Sequence, residues 1–300
     1  MNTKMILLAA SVIVSVSANA QMQSRIIGGT TVSSSTAIGQ RTVGLFFQGK
    51  PDAKGQASAA VCTGSIVDES HVITAAHCVQ DFYEGAVIFT AGNMFTILDQ
   101  ATKGGIASVN GQLAMMESAV ALPGFPGMEN SNNANEFVDL AVITFKGGLP
   151  TGYEAAKFLA HKDVLAALQA GKTATLAGYG MTSAPQELSQ KQTQSFDFQT
   201  GKKPKAPTTP SDDGSANDGF PAGVGTLRKV SVSYQGLSNK EIDIYFVGKA
   251  NHIACEGDSG GPASVTYQGE TYVVGVDSRG DCASNAIYGL IDQETLNSAI

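Results

Sequence analysis

Gly257-Asp258-Ser259-Gly260-Gly261-Pro262 sets one serine among glycines with a carboxylate beside it. Glycines on both sides allow a tight turn and let backbone amides come close to a substrate carbonyl. A serine held in such a turn is a candidate nucleophile, and the rest of the chain is searched for what would activate it.

The string also fits G-x-S-x-G, the nucleophile elbow of α/β-hydrolases. That fold needs its catalytic histidine after the serine, and the histidines stand at 71, 77, 161 and 252. None follows Ser259, so chain order removes this reading. The base must lie upstream. Thr74-Ala75-Ala76-His77-Cys78 is the obvious place, with small residues before the histidine for close packing and a cysteine after it as a tether. His71, ahead of a Val-Ile strand pair, reads as an exposed polar position. His161 and His252, at the edges of a helix and a loop, read as surface or satisfied core. A carboxylate that orients a histidine should enter an apolar strand, and Asp139-Leu140-Ala141-Val142-Ile143 provides one.

Composition agrees with a folded, exported protein. The chain has 300 residues, 43% apolar and 15% charged, enough to bury a core. Its net charge of −7 suits no nucleic acid partner, whose phosphates want a basic face. Lys4, the apolar run Met5 to Val16 and Ala18-Asn19-Ala20 form a secretory signal over 1–20. That run is too short for a comfortable membrane span, and no later stretch has eighteen continuous apolar residues. Cys62, Cys78, Cys255 and Cys282 are an even set, read as two disulfides of open connectivity. Without a C-x-x-C pair, and with histidine scarce, zinc is not expected.

With 34 glycines, the chain favours short strands and tight turns. Strands are expected at Thr42–Phe47, Ala86–Thr90, Leu140–Phe145, Lys172–Ala177, Leu227–Tyr234, Ile242–Val247 and Thr271–Val276. Helices are expected at Lys162–Ala170, stopped by Gly171, and after Asp292 at the C-terminus. Residues 182–225, rich in Pro, Ser, Thr, Lys, Asp and Gln, read as a long polar insert.

The ordered set Ile26-Ile27-Gly28-Gly29, Thr74–Cys78, Asp139–Ile143 and Gly257–Pro262 closely resembles the chymotrypsin/trypsin family of serine proteases. The resemblance covers nearly everything after Arg25 apart from the insert. It implies an all-β fold of two six-stranded antiparallel β-barrels with a short C-terminal helix. The barrels would divide at about 26–147 and 148–300, with the active site between them. It implies His77, Asp139 and Ser259 as a triad, Gly257 and Ser259 amides as the oxyanion hole, and Ser278 as support for the buried Asp139. Substrate backbone would pair along Ser278–Gly280. The cysteines would join as Cys62–Cys78 and Cys255–Cys282. Arg25-Ile26 looks like an activation site that ends a short leader, 21–25, with the freed amine of Ile26 pairing with Asp258.

The resemblance also places a specificity pocket. Ile253 stands at its floor, where a trypsin would have Asp, and Ala286 stands where glycine usually keeps it open. An apolar, small-to-medium residue before the scissile bond is therefore expected. Such an enzyme would be activated at Arg25 by a second, trypsin-like protease. Arg279 replaces a common cleft tryptophan, so electrostatic substrate contacts are expected there. Gly178-Tyr179-Gly180 resembles the family's Gly-Trp-Gly before a surface loop. The expected partners are protein or peptide substrates of an extracellular monomer, with no cofactor and no metal. The competing reading is a catalytically silent family member that acts as a secreted binding protein.

Overall fold

The computed structural model describes residues 26–50, 58–80, 84–127, 136–182, 220, 223–249 and 252–300. The signal segment 1–20, the leader 21–25 with Arg25, and most of the polar insert lie outside the described residues.

The first barrel comprises β2 (Thr42–Gln48), β3 (Ala59–Ile66), β4 (His71–Thr74), β5 (Glu84–Ile88), β6 (Leu113–Ala121) and β7 (Ala141–Phe145). A short β1 (Thr30–Thr31) precedes them. They close in the order β2-β3-β4-β7-β6-β5, every pair antiparallel. The alternation of β2 explains why it sits here. Val43, Leu45 and Phe47 point into a core with Val72, Val87, Ile143 and Phe145. Phe46 points outward and is still buried, under a helix.

That helix, which strand and turn patterns did not announce, follows β5. Alongside the short α1 (Ala37–Arg41) and α2 (Ala76–Val79), α3 spans Met94–Gly104. Asn93 caps it by accepting from the Phe95 amide at 2.9 Å. Met94, Ile97, Leu98 and Ala101 recur at helical spacing and pack against Phe46 and Leu113.

The second barrel comprises β8 (Thr173–Gly178), β9 (Arg228–Leu237), β10 (Asp243–Val247), β11 (Pro262–Tyr267), β12 (Glu270–Gly280) and β13 (Asn285–Leu290). Their order is β9-β10-β13-β12-β11-β8, closed by pairing of β8 with β9. The fold is therefore two closed six-stranded antiparallel barrels with a C-terminal helix, as the resemblance implies. The helix read at 162–170 is α4, His161–Gly171, buried along Val164, Ala167 and Leu168. Its stop differs in detail. Gly171 is the last helical residue, and Lys172 takes the left-handed conformation, φ 52°, donating to Leu168.

The strands divide between β7 and β8, yet the segment from Ile26 to Thr31 and the C-terminal helix each cross to the other barrel. Ile26 is buried in the second core, Ile27 bridges Ile253, and β1 pairs with β9. The last helix, α5 (Gln293–Ala299), is capped by Asp292 and buries Leu296 in the first core. These crossings clamp the two barrels together and hold the cleft between them.

His161 ties α4 to α5. Its Nδ1 lies 2.8 Å from the Asp292 carboxylate, and its amide donates to Glu294 at 3.1 Å. The hydrogen bond to Asp292 pushes the His161 pKa up, with the Asp292 and Glu241 charges adding to it. A raised histidine contributes stability that is complete below its unfolded value of about 6.5 and lost as pH rises through its folded value. Amides of α5 should therefore exchange faster at pH 8 than at pH 6 after correction for intrinsic rates. His161→Gln should abolish that difference, which hydrogen exchange by mass spectrometry will measure.

Candidate active site

The first barrel contributes the histidine and the carboxylate. Thr74 ends β4 and His77 lies in α2 immediately after it, while Asp139 stands just before β7. Because β4 and β7 pair directly, their ends bring the two residues together. His77 Nδ1 lies 2.8 Å from Asp139 Oδ2, and the His77 amide donates to Oδ1 at 2.9 Å. From the second barrel, Ser278 Oγ donates to the same Oδ2 at 2.7 Å. Asp139 is 2% exposed. Burial pushes its pKa up, but the hydrogen bonds and charge of His77 and the Ser278 hydroxyl outweigh it, so the carboxyl stays below its ordinary value. An ionised Asp139 accepts a hydrogen bond from the Nδ1–H and so leaves Nε2 as the acceptor.

Ser259 occupies the turn that leads into β11. Three amides of that turn are spent internally: Asp258 on Cys255, Gly260 on Asp277 and Gly261 on Asp258, at 2.8–2.9 Å. The amides of Gly257 and Ser259 have no partner among the described residues. Two neighbouring donors left open beside a serine are what a developing oxyanion requires. Gly257 adopts φ +92°, and a Cβ there would meet Gly180 Cα at 2.8 Å, so only glycine fits.

The first barrel holds this turn in place. The Thr63 amide donates to Ser259 O at 2.8 Å, and its hydroxyl donates to Gly257 O at 3.0 Å. The Tyr179 amide in turn donates to that hydroxyl at 3.0 Å. Cys78 Sγ touches Ser259 O at 3.7 Å, which sets the nucleophile turn against the residue after His77. Ser259 Oγ makes no hydrogen bond with His77 among the described residues, a looseness common before substrate binds.

Asp258 points the other way, into the second barrel. Its oxygens accept from the Gly180 and Cys255 amides at 2.8 and 2.9 Å. Burial pushes its pKa up to about 7, against the pull of those two amides and the charge of Arg228. Ile253 and Ala286 are buried in one apolar cluster with Ala254 and Tyr288. Gly280 ends β12 at the surface, paired with Ala286. The disulfides are Cys62–Cys78, beside His77, and Cys255–Cys282, which joins the approach to the nucleophile turn to the segment after β12. An apolar cavity of about 200 Å³ opens next to Gly257, lined by Ala60, Val61, Met181, Phe220 and Val224. Among the described residues no group of His, Cys, Asp or Glu is placed to hold a metal, and no helix is long and apolar enough to cross a membrane.

Two expectations need correction. His71 is half-buried rather than exposed, with Nδ1 bonded to the Asp68 carboxylate at 2.8 Å. Arg279 does not offer its charge to the cleft. Its guanidinium donates to the fully buried Asp243 at 2.7 Å and to Ser278 Oγ at 3.1 Å, and lies over the Phe137 ring. Sequence reasoning missed three further groups here. They are Asp243, which opens β10, and the buried Asp277 and Tyr288, which face one another across β12 and β13.

A family model described as Trypsin matches residues 26–295. No curated protein matches the chain. Among solved structures, that of HL collagenase is similar with a TM-score of 0.57 at 16% identity, covering 91% of this chain and 99% of its own. At that identity the likeness concerns the fold.

The Arg279–Asp243 pair is directly testable. Burial pushes the Asp243 pKa up while Arg279 pulls it back. Arg279→Ala should lower stability in urea at pH 7 by about 2–3 kcal/mol, below the full buried-pair cost because that side chain keeps 27% exposure. The loss should shrink as pH falls, since a protonated Asp243 needs no cation.

Proposed function

The chain belongs to the trypsin family of serine proteases, and from that premise we propose that it is a secreted endopeptidase with His77, Asp139 and Ser259 as its catalytic triad. The observation that carries the proposal is the Asp139 carboxylate, buried between the barrels and bonded at once to His77 and Ser278.

Ser259 Oγ attacks the scissile carbonyl carbon while His77 Nε2 takes its proton. The tetrahedral oxyanion receives the open amides of Gly257 and Ser259, each such donor supporting about 3 kcal/mol of transition-state stabilisation. Collapse expels the amine, which takes the proton back from His77 and leaves an acyl-enzyme. Water, deprotonated by His77, then attacks the ester and frees Ser259. Asp139 stabilises the imidazolium at both stages without taking the proton.

In this reading residues 1–20 direct export, 21–25 form the activation leader and 26–300 the protease domain, acting as a monomer outside the cell on protein or peptide substrates. Cleavage after Arg25 frees the Ile26 amine, which pairs with Asp258 and tightens the Gly257 turn. Ile26 is already buried in the second core, which supports that route. Taken by themselves, Ile253 and Ala286 favour an apolar, small-to-medium residue before the scissile bond. A trypsin-like protease would then act at Arg25.

The test is precursor processed at Arg25, assayed on a peptide library beside two variants. Processed wild type should cleave and unprocessed precursor should not. Ser259→Ala should lower kcat/KM by roughly 10⁶ and Asp139→Asn by roughly 10⁴. Silence in processed wild type, with Ile26 verified as the N-terminus, would instead favour a catalytically silent binding protein.

A further inference from the structure

Ser278 holds Asp139, and Arg279 holds Ser278. Along β12 the register slips between Asp277, opposite Tyr288, and Arg279, opposite Ile287, which leaves Ser278 as a bulged residue. A bulge interrupts the ladder and re-aims a side chain. Here it lets two consecutive side chains meet. Arg279 Nη1 donates to Ser278 Oγ at 3.1 Å, while that hydroxyl donates to Asp139 Oδ2 at 2.7 Å.

The guanidinium is itself fixed on two sides. Its Nη2 donates to Asp243 Oδ2 at 2.7 Å, and its Cζ lies 4.5 Å from the centre of the Phe137 ring, on the segment that carries Asp139. Asp243 is fully buried at the start of β10, so the arm of Arg279 spans β13. Gly289, opposite Asp243 on β13, has no side chain to stand in the way. Bonds therefore run from Asp243 through Arg279, Ser278 and Asp139 to His77, each link 3.1 Å or shorter.

Donor count sets the direction of this chain. A serine hydroxyl has one proton and two lone pairs, and a guanidinium only donates. With Arg279 occupying a lone pair, the Ser278 proton is left for Asp139. A cation that donates to a hydroxyl also polarises it and strengthens the next hydrogen bond. The guanidinium keeps its charge at any pH the enzyme meets. Burial, with the Glu136 and Asp139 charges, pushes the Asp243 pKa up, and Arg279 pulls it back. One cation thus stands between two buried carboxyls, touching Asp243 directly and Asp139 through Ser278.

We propose that Arg279 is a positioning residue for the reaction: anchored on Asp243, it aims the Ser278 hydroxyl at Asp139 and so keeps the Asp139–His77 pair in one geometry. The proposal rests on the endopeptidase reading and adds to it a residue that acts only through others. A Ser278 hydroxyl free to turn would leave Asp139 Oδ2 with His77 alone. The effect belongs on kcat, because the Asp139–His77 pair works in proton transfer and not in holding substrate.

The experiment avoids leaving a buried charge unpaired. Arg279→Met combined with Asp243→Leu replaces the ion pair by apolar groups, a change that folded proteins commonly tolerate. Processed enzyme, counted with an active-site titrant, is assayed as wild type, as Ser278→Ala, as this double variant and with all three substitutions. The double variant should lose about tenfold in kcat with KM held within about twofold, the size of one hydrogen bond in a charged network. In the Ser278→Ala background the same replacement should cost less than about twofold, because the route through Ser278 is already gone. Equal losses in both backgrounds, an unchanged kcat or a loss carried by KM would overturn the proposal. Arg279→Lys keeps a cation on Asp243 but lacks the fork that also reaches Ser278, so it should show the same kcat loss, and wild-type kcat in it would count against the proposal. A second arm needs no turnover. In Ser259→Ala the hydrogen-bonded Nδ1 proton of His77, followed by NMR, should exchange with water about fivefold faster once the pair is replaced. Unchanged exchange would overturn the proposal. Failure of processed wild type to cleave any peptide would defeat the endopeptidase reading instead, while the NMR arm still decides whether Arg279 steadies His77.

Discussion

The Asp258 carboxyl, buried against backbone on every side, is the constraint that the rest of the site depends on. Its oxygens accept from the Gly180 and Cys255 amides, so it ties the segment after β8 to the approach of the nucleophile turn. A Cβ on Gly178 would stand 2.3 Å from its Oδ1, and one on Gly180 would stand 2.5 Å from its Cγ. The glycines of Gly178-Tyr179-Gly180 and the glycine before Asp258 thus form one niche with a single occupant. With Asp258 turned inward, the neighbouring residues have only one way to face. Gly257 and Ser259 keep their amides open toward the cleft.

Neither barrel could hold this arrangement alone. The first supplies His77 and Asp139 and pins the turn through Thr63, whose own carbonyl is fixed by Thr74 Oγ1 at 2.8 Å. The second supplies the turn and Ser278. Tyr179 adds a strut from one barrel to the other, donating its hydroxyl to Thr90 O. The Cys62–Cys78 disulfide closes a loop of 16 residues across the histidine. Such a loop contributes about 3 kcal/mol in the chain-entropy model. The arrangement of His77, Asp139 and Ser259 is in this sense a property of the interface, and the crossing segments at Ile26 and α5 maintain it.

What could be read in the sequence was what short local strings encode. Thr74–Cys78, Asp139–Ile143 and Gly257–Pro262 each carry their chemistry within six residues, and the strands around them follow from alternation and glycine punctuation. The α3 helix was overlooked because Gly92 and Gly105 frame it like a loop, although Asn93 and the spacing of Met94, Ile97, Leu98 and Ala101 were there to be found. Arg279 was misjudged for a different reason. Its partner Asp243 lies 36 residues away, and no local pattern announces a pairing made through β13. Asp277 was hidden in the same way: inside Val276-Asp277-Ser278 it reads as one polar residue among others. Only the register with Tyr288 shows which face it takes.

Three buried carboxyls, Asp139, Asp258 and Asp277, lie around the nucleophile turn, and the chain treats each differently. Asp139 has a histidine and a serine and stays ionised. Asp258 has two backbone amides and a distant arginine, which leaves it near neutrality at about 7 and responsive to a new cation. Asp277 has no partner, and its pKa is pushed well above the ordinary carboxylate value. The Asp139 and Asp258 carboxyls both raise the cost of ionising Asp277, which lies against the same turn.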